Sequence, residues 1–262
     1  MRLCLRISVN ALFMRLLVIV DLIRNLICSF CFPVALEKHR IKAFILNKNY
    51  YSTLDGLVDS FRGAGILVSN IYIVDLGSSS EKVFGKYSQL ERSGVTILFK
   101  SDIPFGPWIV WRDRSIRRLF VYGAAPIIVT DSDIKMPESL PSDWLEILTK
   151  CLRVNPFALK CALPLRTSGI TSAVADSVLS HETKLKSGRL NRWLSFPAGV
   201  NFQDTDTTIA LYKPFPFFNY HSIRLALPYE VEHLTWYSEF LASEEYRFYL
   251  SQRLACIGDW HS

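Results

Sequence analysis

Between residues 41 and 133 the chain repeats one move, an apolar run that stops on a polar residue and gives way to a helical pattern. "IKAFILNKNY" is a short apolar strand ending at Asn47, and "YSTLDGLVDSFRGAG" then carries apolar residues at helical spacing before a glycine pair suited to a helix end. "SNIYIVDLGSSS" closes on Asp75 and "SGVTILFKSD" runs to Asp102. A helix candidate follows around "PWIVWRDRSIRRLFVYG", and then "APIIVTDSD". Strands alternating with helices in this way predict an α/β fold built on a mainly parallel, doubly wound sheet. No internal repeat or low-complexity linker divides the chain, so one domain is expected over 37–262.

The preceding stretch, residues 1–36, has a different character. It is rich in Leu, Ile, Val and Phe, yet Arg15, Asp21 and Arg24 interrupt it, and a charge at the centre of a span costs roughly 2.5 to 3.5 kcal/mol on insertion scales. At about 100° per residue, Arg2, Arg6, Asn10, Asp21 and Arg24 fall on one side of a helix, with Arg15 the exception. The expectation is an amphipathic helix ended by Pro33. Three placements are open to it: a membrane interface reached through residues 1–32, the body of the protein, or a second copy in a homodimer.

With 262 residues, half of them apolar, the chain is long enough to bury a large core of its own. Its 30 Lys and Arg against 24 Asp and Glu leave +6, a mild excess that suits a polyanionic ligand or an anionic surface without singling out nucleic acid, which is not expected as a partner. The six cysteines are scattered, and Cys28 and Cys31 have no second pair to complete a zinc site. Reduced thiols in a cytoplasmic protein, at most peripheral to the inner face of a membrane, are the expectation.

In a doubly wound sheet, ligands bind outside the carboxyl ends of the strands. Asn47, Asp75 with Ser78 to Ser80, Asp102, and the pair Asp131 and Asp133 all fall there. If the segment is extended, residues 131 and 133 point to one face and Ser132 to the other. Two carboxylates so placed repel unless something positive lies between them, and Mg²⁺ or Mn²⁺ is the hard cation that takes carboxylate oxygen and can bridge to a diphosphate.

The series "AFILNKN", "IYIVDLGSSS", "IIVTDSDIKMPE", "KCALPLR", "DTDTTIALYK" and "LPYEVEHLTWY" resembles the metal-dependent sugar-nucleotide glycosyltransferases of the GT-A fold, near family 2 and its bacterial relatives, over roughly residues 41–240. That resemblance implies a nucleotide-sugar donor and a glycan or lipid-linked acceptor. It gives Asp75 and its neighbours the nucleobase, Asp131 the ribose and metal, Asp133 the metal and diphosphate, and His233 the place of a further metal ligand. Leu76 stands where the family pattern has Asn after the nucleobase Asp. An inverting transfer also needs a carboxylate base to take the acceptor's proton; Asp206 in "DTDTT" is the first candidate, with Asp204 beside it and Glu182 in "SHETK" as alternatives.

Competing readings stay beside these. His233 next to Trp236 and Tyr237 also fits a core histidine, and Asp206 also fits a turn that bonds its own backbone. Arg112, Arg114, Arg117 and Arg118 could meet a diphosphate or an anionic acceptor, or form a solvated helix face. A nucleotidyltransferase would share the fold and metal logic, but "ILNKNYYSTLDG" has no glycine-rich loop for a triphosphate. A degenerate GT-A-like domain keeping only a binding or scaffold role is the non-catalytic alternative.

Overall fold

The computed structural model describes residues 23, 26, 27, 37–100, 108–155, 158–171, 176, 179, 180, 200–204, 208–213 and 221–252. The expected helix over residues 1–36, Asp102, Glu182 and Asp206 therefore lie outside the described residues, Ile23, Leu26 and Ile27 apart. The strands are β1 (Lys42–Asn47), β2 (Ile71–Asp75), β3 (Thr96–Phe99), β4 (Ile127–Asp131), β5 (Ile134–Lys135), β6 (Lys160–Ala162), β7 (Val200–Asp204), β8 (Ala210–Tyr212), β9 (His221–Leu225) and β10 (Glu232–His233). The helices are α1 (Leu54–Gly63), α2 (Glu81–Arg92), α3 (Ile109–Arg112), α4 (Arg114–Val121), α5 (Trp144–Val154), α6 (Ser238–Leu241) and α7 (Glu244–Ser251).

Eight strands form one sheet in the order β3-β2-β1-β4-β8-β6-β9-β7, and β10 pairs with β5 in a small second sheet. The first four strands are all parallel, as the strand and helix alternation predicts. Beyond β4 the sheet is mixed: β8 runs antiparallel to both β4 and β6, β6 is parallel to β9, and β7 is antiparallel to β9. The whole is an α/β fold with a mainly parallel central sheet.

Alternate residues of the central strands enter two cores. Ala43, Ile45, Ile71 and Ile73 point to the face covered by α1, α2 and α5, where Leu57, Phe61, Tyr87 and Leu148 are buried. Phe44, Leu46, Tyr72, Val74, Ile127 and Val129 point to the face covered by α3 and α4, against Ile109, Ile116 and Phe120. Burial on both faces is why these strands read as unbroken apolar runs rather than as alternating ones.

The long helix candidate of residues 107–123 is two helices. Asp113 is extended, with ψ of 122°, and its side chain accepts from the Ile116 N–H, so it ends α3 and caps α4. A capping aspartate inside an apolar helical pattern divides it, because its carboxylate satisfies a backbone donor better from outside the helix than from within.

Candidate functional site at the carboxyl edge of the sheet

Strand order places β1 between β2 and β4, so the chain leaves β1 toward one side and returns to its other side after three crossovers. This is a topological switch point, where loops diverge and a crevice opens. Asn47 ends β1, Asp75 ends β2 and Asp131 ends β4, with Asn47 in register with Asp75 and Leu46 with Asp131. The sequence reading brought these residues to one edge, and the structure puts them there.

Asp75 is turned inward. It is only 2% exposed, and its carboxylate accepts from the Tyr87 hydroxyl at 2.7 Å, from the Ser78 N–H at 3.1 Å and from the Gly77 N–H at 3.3 Å. Tyr87 in turn accepts from the Asn47 amide at 2.7 Å, and the same amide nitrogen donates to the Tyr50 carbonyl at 2.8 Å. Burial, and after it the charge of Asp75, hold the Tyr87 phenol far above its ordinary range, so it stays a donor to the carboxylate. The Asp75 carboxylate, expected to face a nucleobase, is spent on shaping the 76–80 turn. Ser78 supports that turn from outside: its hydroxyl accepts from the Asn49 N–H at 2.8 Å.

Asn49 was not singled out from the sequence. It sits at φ of 63°, a left-handed conformation that Asn tolerates better than most residues. Its side-chain oxygen accepts from the Ser79 and Ser80 N–H groups, at 2.8 and 3.2 Å, while its amide nitrogen is buried with no hydrogen-bond partner. A buried amide with two unused donors is costly unless something accepts from it. The signal in the sequence was weak, a polar residue two beyond a strand end.

The residues 131–133 do not form one extended run. β4 stops at Asp131, a turn occupies 132–133, and β5 starts at Ile134. Ser132 is buried, with its N–H on the Leu46 carbonyl at 3.0 Å and its own carbonyl accepting from the Thr53 hydroxyl. Burial still alternates, with Asp131 and Asp133 part-exposed on either side of the buried serine, although the backbone turns.

β5 pairs with β10, and this small sheet joins residues a hundred positions apart. His233 lies opposite Ile134, and its Nε2 is 3.6 Å from Asp133 Oδ2. The histidine is held from two other sides: Nδ1 lies 2.7 Å from the Thr235 hydroxyl, and the ring stacks on Trp236 with centroids 5.3 Å apart. Locking one ring nitrogen leaves the other directed toward Asp133. The second oxygen of Asp133, Oδ1, is buried and has no hydrogen-bond partner. His233 is thus packed as a core histidine is, and its free ring nitrogen also faces Asp133.

An orphaned carboxylate oxygen next to a fixed imidazole is a donor set that suits a divalent cation. Among the described residues, however, no three of His, Cys, Asp and Glu gather closely enough to hold a metal ion. Of the expected trio, Asp133 and His233 form a close pair, and Asp131 ends β4 just before the turn at 132–133.

The C-terminal helices pack against the segment that follows β1. Tyr50 stacks on Tyr249 at 5.0 Å and meets Phe240 at 5.6 Å. Burial first, then the negative charge of Asp133, pushes its phenol well above the ordinary tyrosine range. Glu245, 5% exposed, accepts from the Tyr51 N–H and from the Ser52 N–H at 3.0 Å, just before α1. Tyr50 and Glu245 were likewise missed, because neither stands in a local motif.

The class these observations define is an α/β protein with polar residues gathered at the switch point of its sheet. In structure the chain is similar to the mannosyltransferase PcManGT from Pyrobaculum calidifontis, solved with GDP-Man and Mn2+, at 12% identity over 78% of this chain and 55% of that one, with a TM-score of 0.40. It is also similar to glucosyl-3-phosphoglycerate synthase from Mycobacterium tuberculosis, solved with Mn2+ and UDP-glucose, at 14% identity over 66% of this chain and 56% of that one, with a TM-score of 0.39. A third likeness is to S. aureus TarS in complex with UDP-GlcNAc, at 10% identity over 50% of this chain and 36% of that one, with a TM-score of 0.35. All three are GT-A-type glycosyltransferases. The chain spans little more than half the length of the first two. No family model matches the sequence, and no curated protein matches it.

Proposed function

We propose that the domain from residue 37 onward is a glycosyltransferase that moves a sugar from a nucleoside-diphosphate sugar to a glycan or lipid-linked acceptor. The observation that carries this reading is the meeting of Asp133 and His233, with one Asp133 oxygen buried and unpartnered, at the carboxyl edge of the parallel half-sheet. These two residues would hold Mn²⁺ or Mg²⁺, with Asp131 at the end of β4 as the third protein contributor. A cation there stabilises the charge that develops on a leaving diphosphate.

The chain's own residues divide the remaining work. The turn 76–80, braced by Asp75, Tyr87 and Asn49, would offer its outer surface to the donor's base and ribose. Tyr50 and Trp236, stacked on Tyr249 and His233, would exclude water from the bond to be broken. The proton from the acceptor hydroxyl would pass to Asp206, with Glu182 as the alternative base.

A binding or scaffold domain is the second reading, favoured by one observation: the Asp75 carboxylate is buried and already engaged by three donors of the protein itself. Calorimetry with a panel of nucleoside diphosphates and nucleotide sugars, with and without Mn²⁺, separates the two. Metal-dependent binding of one diphosphate, weakened at least tenfold in a folded Asp133→Ala variant, is expected. Metal-independent binding that Asp133→Ala leaves unchanged would refute the cation assignment, and binding without turnover would select the scaffold reading.

A further inference from the structure

The helix α4 has an outward face that the crevice does not use. Arg114, Arg117, Arg118, Val121 and Tyr122 line a shallow cavity of about 130 Å³ on it. Arg114, Arg118 and Tyr122 stand one helical turn apart in succession, and the Tyr122 side chain is 81% exposed. None of the three arginines has a carboxylate partner among the described residues, and Arg117 Nε is buried without any hydrogen bond. The nearest acid, Asp113, is taken by Lys100 at 3.1 Å and by the Ile116 N–H at 2.9 Å.

Like charges at these spacings repel one another, and cations in the first turn oppose the helix dipole. A cluster of like charges, with Arg114 and Arg117 in the first turn, that faces a concavity calls for an anion. The cavity is far smaller than the several hundred Å³ of a nucleotide pocket and suits a single phosphate group. Guanidinium beside an exposed tyrosine and a valine is the chemistry of a lipid headgroup layer, where the cations take phosphates and the ring sits at the boundary.

Chain connectivity points the same way. The far end of this face is tied to the start of the domain, since the Arg40 guanidinium donates to the Gly123 carbonyl at 2.7 Å. The apolar, arginine-bearing sequence of residues 1–36 joins the domain at Glu37, three residues before that contact. The near end meets Lys100 just past β3, through Asp113 and Ser115, on the carboxyl edge of the sheet.

We propose that the outward face of α4, through Arg114, Arg117, Arg118 and Tyr122, docks the protein on an anionic phospholipid surface, with the carboxyl edge of the sheet beside the lipid headgroups.

Co-sedimentation of the full chain with phosphatidylcholine vesicles, with and without phosphatidylglycerol, tests it. Binding is expected only with phosphatidylglycerol, and the triple variant Arg114→Gln, Arg117→Gln, Arg118→Gln should bind about a hundredfold more weakly, at roughly fivefold for each basic residue lost near the surface. A folded triple variant that binds like wild type overturns the proposal. Should the triple variant fail to fold, Tyr122→Trp serves instead, because this position is exposed. Its difference fluorescence against wild type should shift to the blue on phosphatidylglycerol vesicles, and no shift overturns the proposal. Saturable binding of inorganic phosphate, lost in the triple variant and unaccompanied by vesicle binding, would reassign the site to a soluble phosphate. Binding of a single-stranded oligonucleotide in place of vesicles would reassign it to nucleic acid.

Discussion

Replacing Tyr87 by Phe removes a single oxygen from the interior and tests how the candidate base pocket is held. That oxygen donates to Asp75 at 2.7 Å and accepts from Asn47 at 2.7 Å, inside a side chain that is 2% exposed. The bond to Asp75 is charge-assisted, and losing such a bond costs about 1.5 to 3 kcal/mol. Asn47 keeps its bond to the Tyr50 carbonyl, so its loss is the smaller one, about 0.5 to 1.5 kcal/mol. The phenyl ring fills the same space, which leaves no cavity to add to the sum, and burying one polar oxygen fewer offsets part of it. A net loss of about 2 to 3 kcal/mol follows, which a urea titration reads as a midpoint lower by roughly 1 M if the slope is typical of a domain this size. Amide exchange at Gly77 and Ser78 should quicken as well, because their acceptor loses its anchor. A loss below about 0.5 kcal/mol with unchanged exchange at these two amides would show that Asp75 does not depend on Tyr87, and the account of the turn would fall.

Other consequences are equally direct. Glu245→Ala should destabilise the protein by about 2 kcal/mol, since the Tyr51 and Ser52 N–H groups lose a buried carboxylate acceptor; chemical denaturation within a few tenths of wild type would contradict this. Burial lowers the Lys213 ammonium from its ordinary 10.5 to about 8. Between these two values the unfolded chain binds more protons than the folded one, so this residue's contribution makes stability rise with pH across that window. Lys213→Met should remove that rise, and identical slopes for the two proteins over the same window would refute the assignment.

Some of the architecture was legible because it is written locally. Ala43 to Leu46, Ile71 to Val74 and Ile127 to Val129 are buried on both faces, so each is a continuous apolar run, closed within two residues by Asn47, Asp75 or Asp131. That made the parallel half-sheet and its ligand-facing edge readable without coordinates. The mixed half was not readable in this way. β6 and β8 are three residues long, and their neighbours in the sheet are remote in sequence, so nothing near them states the direction of pairing. The helix of residues 107–123 was overextended for a related reason, since apolar spacing continues through Asp113 while the backbone does not.

At the candidate site the division falls within single residues. Sequence by itself determined that Asn47, Asp75, Asp131 and Asp133 gather at one edge, because strand ends in a doubly wound sheet share an edge whatever the loops do. It determined nothing about where their side chains point. Tertiary structure alone turned Asp75 inward onto Tyr87, set a turn between Asp131 and Asp133, and brought His233 to 3.6 Å from Asp133 through the pairing of β5 with β10. Direction and distance depend on contacts between segments far apart in the chain, whereas strand ends depend on the polarity of adjacent residues.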